Sequence, residues 1–122
     1  MLFPIYARVN LSRKDTRSAV LHCATAIELV LKKLIIVYLD SKRTEDTVKE
    51  IVLRQADGYS RLVELCKRCL ISLAGLPNVK ETVIDIRNRV IHGGYVPTGQ
   101  EANKAYEDTR QALAVLKTPM FE

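Results

Sequence analysis

A chain of 122 residues is long enough to bury a core as a single domain without a metal or a disulfide staple. Its 48% hydrophobic and 27% charged residues belong to an ordinary globular protein, and five Gly, four Pro and no Trp exclude both an all-β turn density and a disordered bias. The net charge of +5 is compatible with a polyanionic partner but does not identify one, because many of the basic residues lie along helical segments as solvated surface.

The opening stretch "MLFPIYARVN" lacks the apolar core and cleavage site of a signal peptide. The densest basic patch, "RVNLSRKDTR" at residues 8–17, reads equally as a flexible tail. Residues 15–39 hold the longest periodic block, with Val20, Cys23, Ala24, Ile27, Leu31, Leu34, Ile35 and Tyr38 at helical spacing on one face. Leu29, Ile36 and Val37 fall on the other side. The pattern therefore predicts a helix covered on two faces, either the centre of a bundle or part of a subunit interface. Glu28, Lys32 and Lys33 interrupt "IELVLKKLIIVYL", which is too short to span a bilayer, so no membrane association and a cytoplasmic location are expected.

A short helix is predicted over 45–56, with Thr47 and Glu50 spaced as a capping box. "ADGY" breaks it. A third helix follows, striped by Tyr59, Leu62, Val63, Cys66, Cys69, Leu70 and Leu73. "AGLPN" ends that one, and Asn78 with Glu81 offers an N-cap pair for a fourth helix that runs to His92-Gly93-Gly94. The last helix starts at Thr98, with Glu101 completing a capping box and Ala102, Tyr106, Thr109, Leu113 and Leu116 as its stripe. No segment alternates with period two for long enough to be a strand. The fold class expected is all-α: an antiparallel four- or five-helix bundle occupying residues 1–122 as one domain.

Three cysteines, Cys23, Cys66 and Cys69, cannot pair completely, which argues against a secreted disulfide framework. "CKRC" has Cys-x-x-Cys spacing but no second pair, so all three read as small buried side chains. Two His, three Cys and scattered carboxylates assemble no metal-ligand cluster, and neither metal nor cofactor is expected.

The fourth helix breaks its own pattern. Counted from Val83 at about 100° per residue, Arg87 lands at roughly 40°, inside the apolar arc of Val79, Ile86 and Val90. Asn88 and His92 follow toward its rim. A guanidinium does not lose its charge, and burying it unpaired costs several kcal/mol, so something must receive Arg87. One answer is an ion pair with Glu28 or Asp85. The other is a wet cleft bordered by the apolar face. A His in the last turn before a Gly C-cap needs no function of its own, since the helix dipole favours it there.

"RNRVIH" places an Arg, a polar residue, three more residues and a His at the end of the fourth helix of an all-α bundle. This resembles the HEPN superfamily (higher eukaryotes and prokaryotes nucleotide-binding domain), whose RNase members carry an Arg, four to six residues and a His. "HCATAIELVLKKLI" is similar to that family's first long helix and "GYSRLVELCKRC" to its middle helix, so the resemblance covers most of the chain. It implies a metal-independent endoribonuclease acting as a homodimer on RNA, a toxin or defence effector, with motif residues of both subunits lining one basic cleft. Carried over, His92 is the general acid/base for attack of the ribose 2′-OH on the adjacent phosphate, and Arg87 stabilises the added negative charge. Asn88 orients His92 or the phosphate, and Arg89 and Tyr95 bind substrate. Some antitoxin-controlled members carry a Tyr two residues after the His, modified by a nucleotidyltransferase partner. Here "HGGY" is one residue longer, so Tyr95 departs from that pattern, and a loop aromatic covering the bundle end is the competing reading. A non-catalytic HEPN-like module for dimerisation or for nucleotide or RNA binding, and an unrelated bundle with a salt-bridged core arginine, complete the alternatives.

Overall fold

Asp15 caps the first helix, its side chain accepting a hydrogen bond from the Ser18 amide, and it is also where the described chain begins: the computed structural model describes residues 15–116. The readings of the N-terminal segment and of residues 8–14 of the basic patch lie outside the described residues. The elements in order are α1 (Thr16–Ser41), α2 (Asp46–Gln55), α3 (Tyr59–Arg68), a π-helical turn (Lys80–Ile84) running directly into α4 (Asp85–Gly93), and α5 (Gly99–Val115). No strand occurs among the described residues, and the fold is an all-helical bundle.

Helix α1 is its centre: α2, α3, the π turn, α4 and α5 all pack against it, α5 most extensively. The expected face is closed, with Val20, Cys23, Ala24, Ile27, Leu31 and Ile35 buried and Leu34 and Tyr38 half-buried. The face widens through Ala19, Ala26 and Val30, not through the second set predicted to be covered. Leu29 and Val37 of that set are exposed and Ile36 is half-buried. Ala102, Ala105 and Ala112 of α5 are buried too, and small residues on both helices let the two axes approach closely. Each fully buried Ile or Leu in this core contributes about 1.5–3 kcal/mol of apolar burial.

Three helix ends differ from the sequence reading. Helix α2 begins with Glu45 at the N-cap and no side-chain cap, so Thr47 falls inside the first turn and its capping box with Glu50 does not form. The entry is fixed instead by Lys49, which pairs with Asp40 and Asp46 across the α1–α2 connection. Helix α3 stops at Arg68 rather than at Leu73. The Ile71 amide bonds the Cys66 carbonyl and the Leu70 amide bonds the Lys67 carbonyl, a Schellman closure with Leu70 left-handed at φ 59°. Leu70 is therefore 90% exposed and leaves the stripe, while Leu73 and Leu76 fold back onto the core from the loop. No side-chain cap forms where the fourth segment starts. Its first turn is wound with i→i+5 bonds, and Asn78 contributes only its backbone carbonyl, to the amide and hydroxyl of Thr82. The capping box at Thr98 and Glu101 does form, in both directions.

Among the described residues no helix is long and apolar enough to cross a membrane.

Candidate nucleic-acid site at the end of α4

A π turn leads into the segment that carries Arg87. An i→i+5 turn absorbs one extra residue, closed here by the Asp85 amide on the Lys80 carbonyl. It turns everything after it by about 100° relative to an unbroken α-helix. Val79, Val83, Ile84 and Ile86 are buried, but Val90 is only half-buried and Ile91 is exposed. Arg87 stands at the edge of the core, with its side chain 16% exposed.

Its Nη2 donates to Glu28 Oε1 of α1 at 2.9 Å, and Glu28 is 21% exposed. Its Nε donates to Asn88 Oδ1, also at 2.9 Å. Of the two carboxylates the sequence offered, Glu28 is the one that receives the arginine; Asp85 pairs with Lys80 instead. The charge is therefore satisfied within the chain, without a cleft shared across a two-fold axis. A guanidinium has five N–H donors, and these two bonds leave others free.

Beyond His92 the helix ends on Gly94, left-handed at φ 65°, a conformation that glycine adopts without a Cβ clash. The chain doubles back so that the Tyr95 amide donates to the Arg89 carbonyl at 3.2 Å. The Arg89 guanidinium then lies over the Tyr95 ring, 3.9 Å from its centroid. The Tyr95 hydroxyl donates to Glu101 Oε1 at 2.5 Å, and the same oxygen accepts the Thr98 amide at 2.9 Å. Donation to the carboxylate pushes the Tyr95 hydroxyl above its ordinary pKa. The Thr98 amide, followed by the Tyr95 hydroxyl, holds Glu101 below the usual carboxylate range. The capping box of α5 is thus also the anchor of Tyr95.

Asn88, Arg89, His92, Gly93 and Tyr95 line one open depression of about 550 Å³. The structure brings together four of the five residues singled out in the sequence, with the fifth, Arg87, one hydrogen bond behind Asn88. Asn88 Oδ1 is engaged by Arg87, which directs its amide nitrogen elsewhere as a donor. Arg89 and the Asn88 amide give this depression donors for an anion. Another depression, of about 360 Å³ between α2 and α3, contains Arg61, Glu64 and Arg68 on an otherwise apolar and amide lining, and Arg68 is already paired with Glu64. Its lining includes no histidine.

The cysteines are buried thiols, as expected. Burial pushes Cys23 up to about 12 and Cys66 up to about 11, which leaves neither as a nucleophile at neutral pH. Among the described residues no group of three His, Cys, Asp or Glu side chains is placed to hold a metal. Glu28, Thr98 and Glu101 are the supporting residues that the sequence did not assign to the site. Glu28 was legible only as one of two partners for Arg87, and Thr98 and Glu101 only as a cap.

No protein-family model, curated protein or solved structure matches this chain at a significant level.

Proposed function

We propose that this domain is a metal-independent endoribonuclease of the HEPN superfamily, a toxin or defence effector that cleaves single-stranded RNA. The observation that supports it best is the convergence of Asn88, Arg89, His92 and Tyr95 on one open depression, with Arg87 bonded to Asn88 behind them. In this reading the 2′-oxygen attacks the adjacent phosphorus and the bond to the 5′-oxygen breaks. The proton of the 2′-OH is taken by an imidazole, and a proton is returned to the departing 5′-oxygen. His92 is exposed on the lining and serves this transfer. The remaining donors of Arg87, together with Arg89, meet the charge that builds on the phosphoryl oxygens. The products carry a 2′,3′-cyclic phosphate and a 5′-hydroxyl.

The working form in this proposal is a homodimer, controlled in the cell by an antitoxin protein of nucleotidyltransferase type. Exposed Leu29 of α1 follows Glu28, and exposed Ile91 of α4 lies one turn beyond Arg87. These exposed apolar side chains are what a second copy would cover in this proposal. Sedimentation at micromolar concentration is expected to give twice the chain mass.

The test of the activity is incubation of the purified protein with single-stranded RNA in EDTA. Cleavage with cyclic-phosphate ends is expected; a strict requirement for added magnesium overturns the assignment of His92. One observation favours a second reading, a non-catalytic dimerisation or RNA-binding module: Glu28 already satisfies Arg87 at 2.9 Å without any ligand. RNA binding without cleavage under any divalent-ion condition is its signature.

A further inference from the structure

We infer that the Arg89–Tyr95 pair is a stacking platform for one unpaired nucleobase, the subsite that holds a nucleotide next to His92. The inference rests on the RNA reading above and specifies what part of an RNA the depression accepts.

Tyr95 lies in the loop between α4 and α5, yet three contacts fix it. Its amide is bonded to the Arg89 carbonyl, its ring is covered by the Arg89 guanidinium, and its hydroxyl is bonded to Glu101. Glu101 is itself immobilised by two bonds to Thr98 at the start of α5. Tyr95 is half-buried and packs against the core, so its ring also covers the bundle end, and the side chain laid on it is an exposed arginine. The Arg89 guanidinium lies over the ring, a contact that a cation and an aromatic face favour by about 0.5–1 kcal/mol at an exposed position. A guanidinium is planar, and one face of this one rests on the ring, which leaves the opposite face for a second flat group.

The rest of the lining selects which flat group. Asn88 presents an amide donor because its oxygen is taken by Arg87, and His92 and Arg89 carry further donors. A flat ring joined to a phosphate satisfies both the plane and the donors. The volume of about 550 Å³ lies within the ordinary range for small-molecule sites. A base inside a duplex has both faces stacked and cannot reach such a plane, so the ligand is a single strand.

The experiment compares two hexanucleotides in which every 2′-OH is replaced by hydrogen to prevent cleavage, one carrying its bases and one with the bases removed. Fluorescence anisotropy at low salt is expected to show wild type binding the base-containing strand roughly tenfold more tightly than the abasic one. Arg89→Lys keeps the charge and loses the plane, and Tyr95→Leu removes the support. Both should bring that ratio close to one. Equal wild-type affinity for the two strands overturns the platform, as does an Arg89→Lys variant that keeps the wild-type ratio. If those results come from a protein that still cleaves RNA, the nuclease reading stands and only the platform falls. Binding of neither strand, with no cleavage of RNA, overturns both.

Discussion

The α1–α5 interface and the end of α4 are built on opposite principles. Helices α1 and α5 pack on each other with Ala19, Ala24 and Ala26 of one and Ala102, Ala105 and Ala112 of the other buried, and stability there comes from non-directional burial. At the end of α4 the same chain uses directional contacts in series. Glu28 holds Arg87, Arg87 holds Asn88, Arg89 covers Tyr95, and Tyr95 is bonded to a Glu101 that also caps α5. The first arrangement tolerates no loss of volume. The second fixes positions at modest cost and keeps an exposed His in its midst. Scaffold and site are therefore separable: damage to one should leave a measurable signature that damage to the other does not.

The largest effect is expected in the core. Leu31→Ala should cost about 2–5 kcal/mol, because a fully buried side chain leaves a cavity that rigid neighbours cannot fill. Thermal unfolding followed by circular dichroism should move down by more than about 10 °C. If Leu31→Ala is instead no worse than the substitutions at the α4 end, the contrast between the two regions is broken.

The Arg87–Glu28 pair comes next. Because its side chains keep 16% and 21% exposure, a double-mutant cycle with Arg87→Ala and Glu28→Ala should give a coupling of about 1–2 kcal/mol. A fully buried pair broken on one side would lose about 3–5 kcal/mol, and a coupling of that size would make Arg87 a core residue rather than a site residue. Under the nuclease reading Arg87→Ala also weakens RNA binding and lowers the slope of affinity against salt by about one.

Smaller still is the cap. Thr98→Ala should cost about 1 kcal/mol, and it should also loosen Tyr95 through Glu101. Near-ultraviolet circular dichroism of the tyrosines is expected to change with it, whereas in a cap that has no second role only the melting temperature would move. The smallest effect is a pH dependence. Glu101 has its folded pKa held below its ordinary 4.5, first by the Thr98 amide. Its contribution is therefore fully present above the unfolded value and lost as pH falls through the lower folded one. The melting-temperature gap between wild type and Glu101→Gln should accordingly shrink between pH 6 and pH 3. A gap that widens on acidification would show the carboxylate to be destabilising.

What the sequence made legible follows from range. The buried face of α1 and the Thr98–Glu101 box depend on residues three or four apart, and both are legible in the sequence. Thr47–Glu50 has the same spacing and failed, because Lys49 reaches back to Asp40 and the helix enters at Glu45. Leu70 fitted its stripe by number, yet the chain closes there in a left-handed turn that apolar periodicity does not report. A wheel of constant pitch does not report the π turn, and the choice of Glu28 over Asp85 as the partner of Arg87 depends on how α4 packs on α1. In the site itself, the residues Arg87, Asn88 and His92 came from a motif. The Arg89–Tyr95–Glu101 connection depends on a glycine reversal that brings residue 95 back over residue 89, and no spacing rule describes it.

The most direct test of the central claim sets RNA affinity beside RNA cleavage for His92→Ala, both measured in EDTA on the same single-stranded substrate. His92 is exposed and is placed here as a proton-transfer group with no large share in binding. The account predicts affinity close to wild type and a cleavage rate lower by about 10²–10⁴. Cleavage that persists at the wild-type rate in His92→Ala would contradict it.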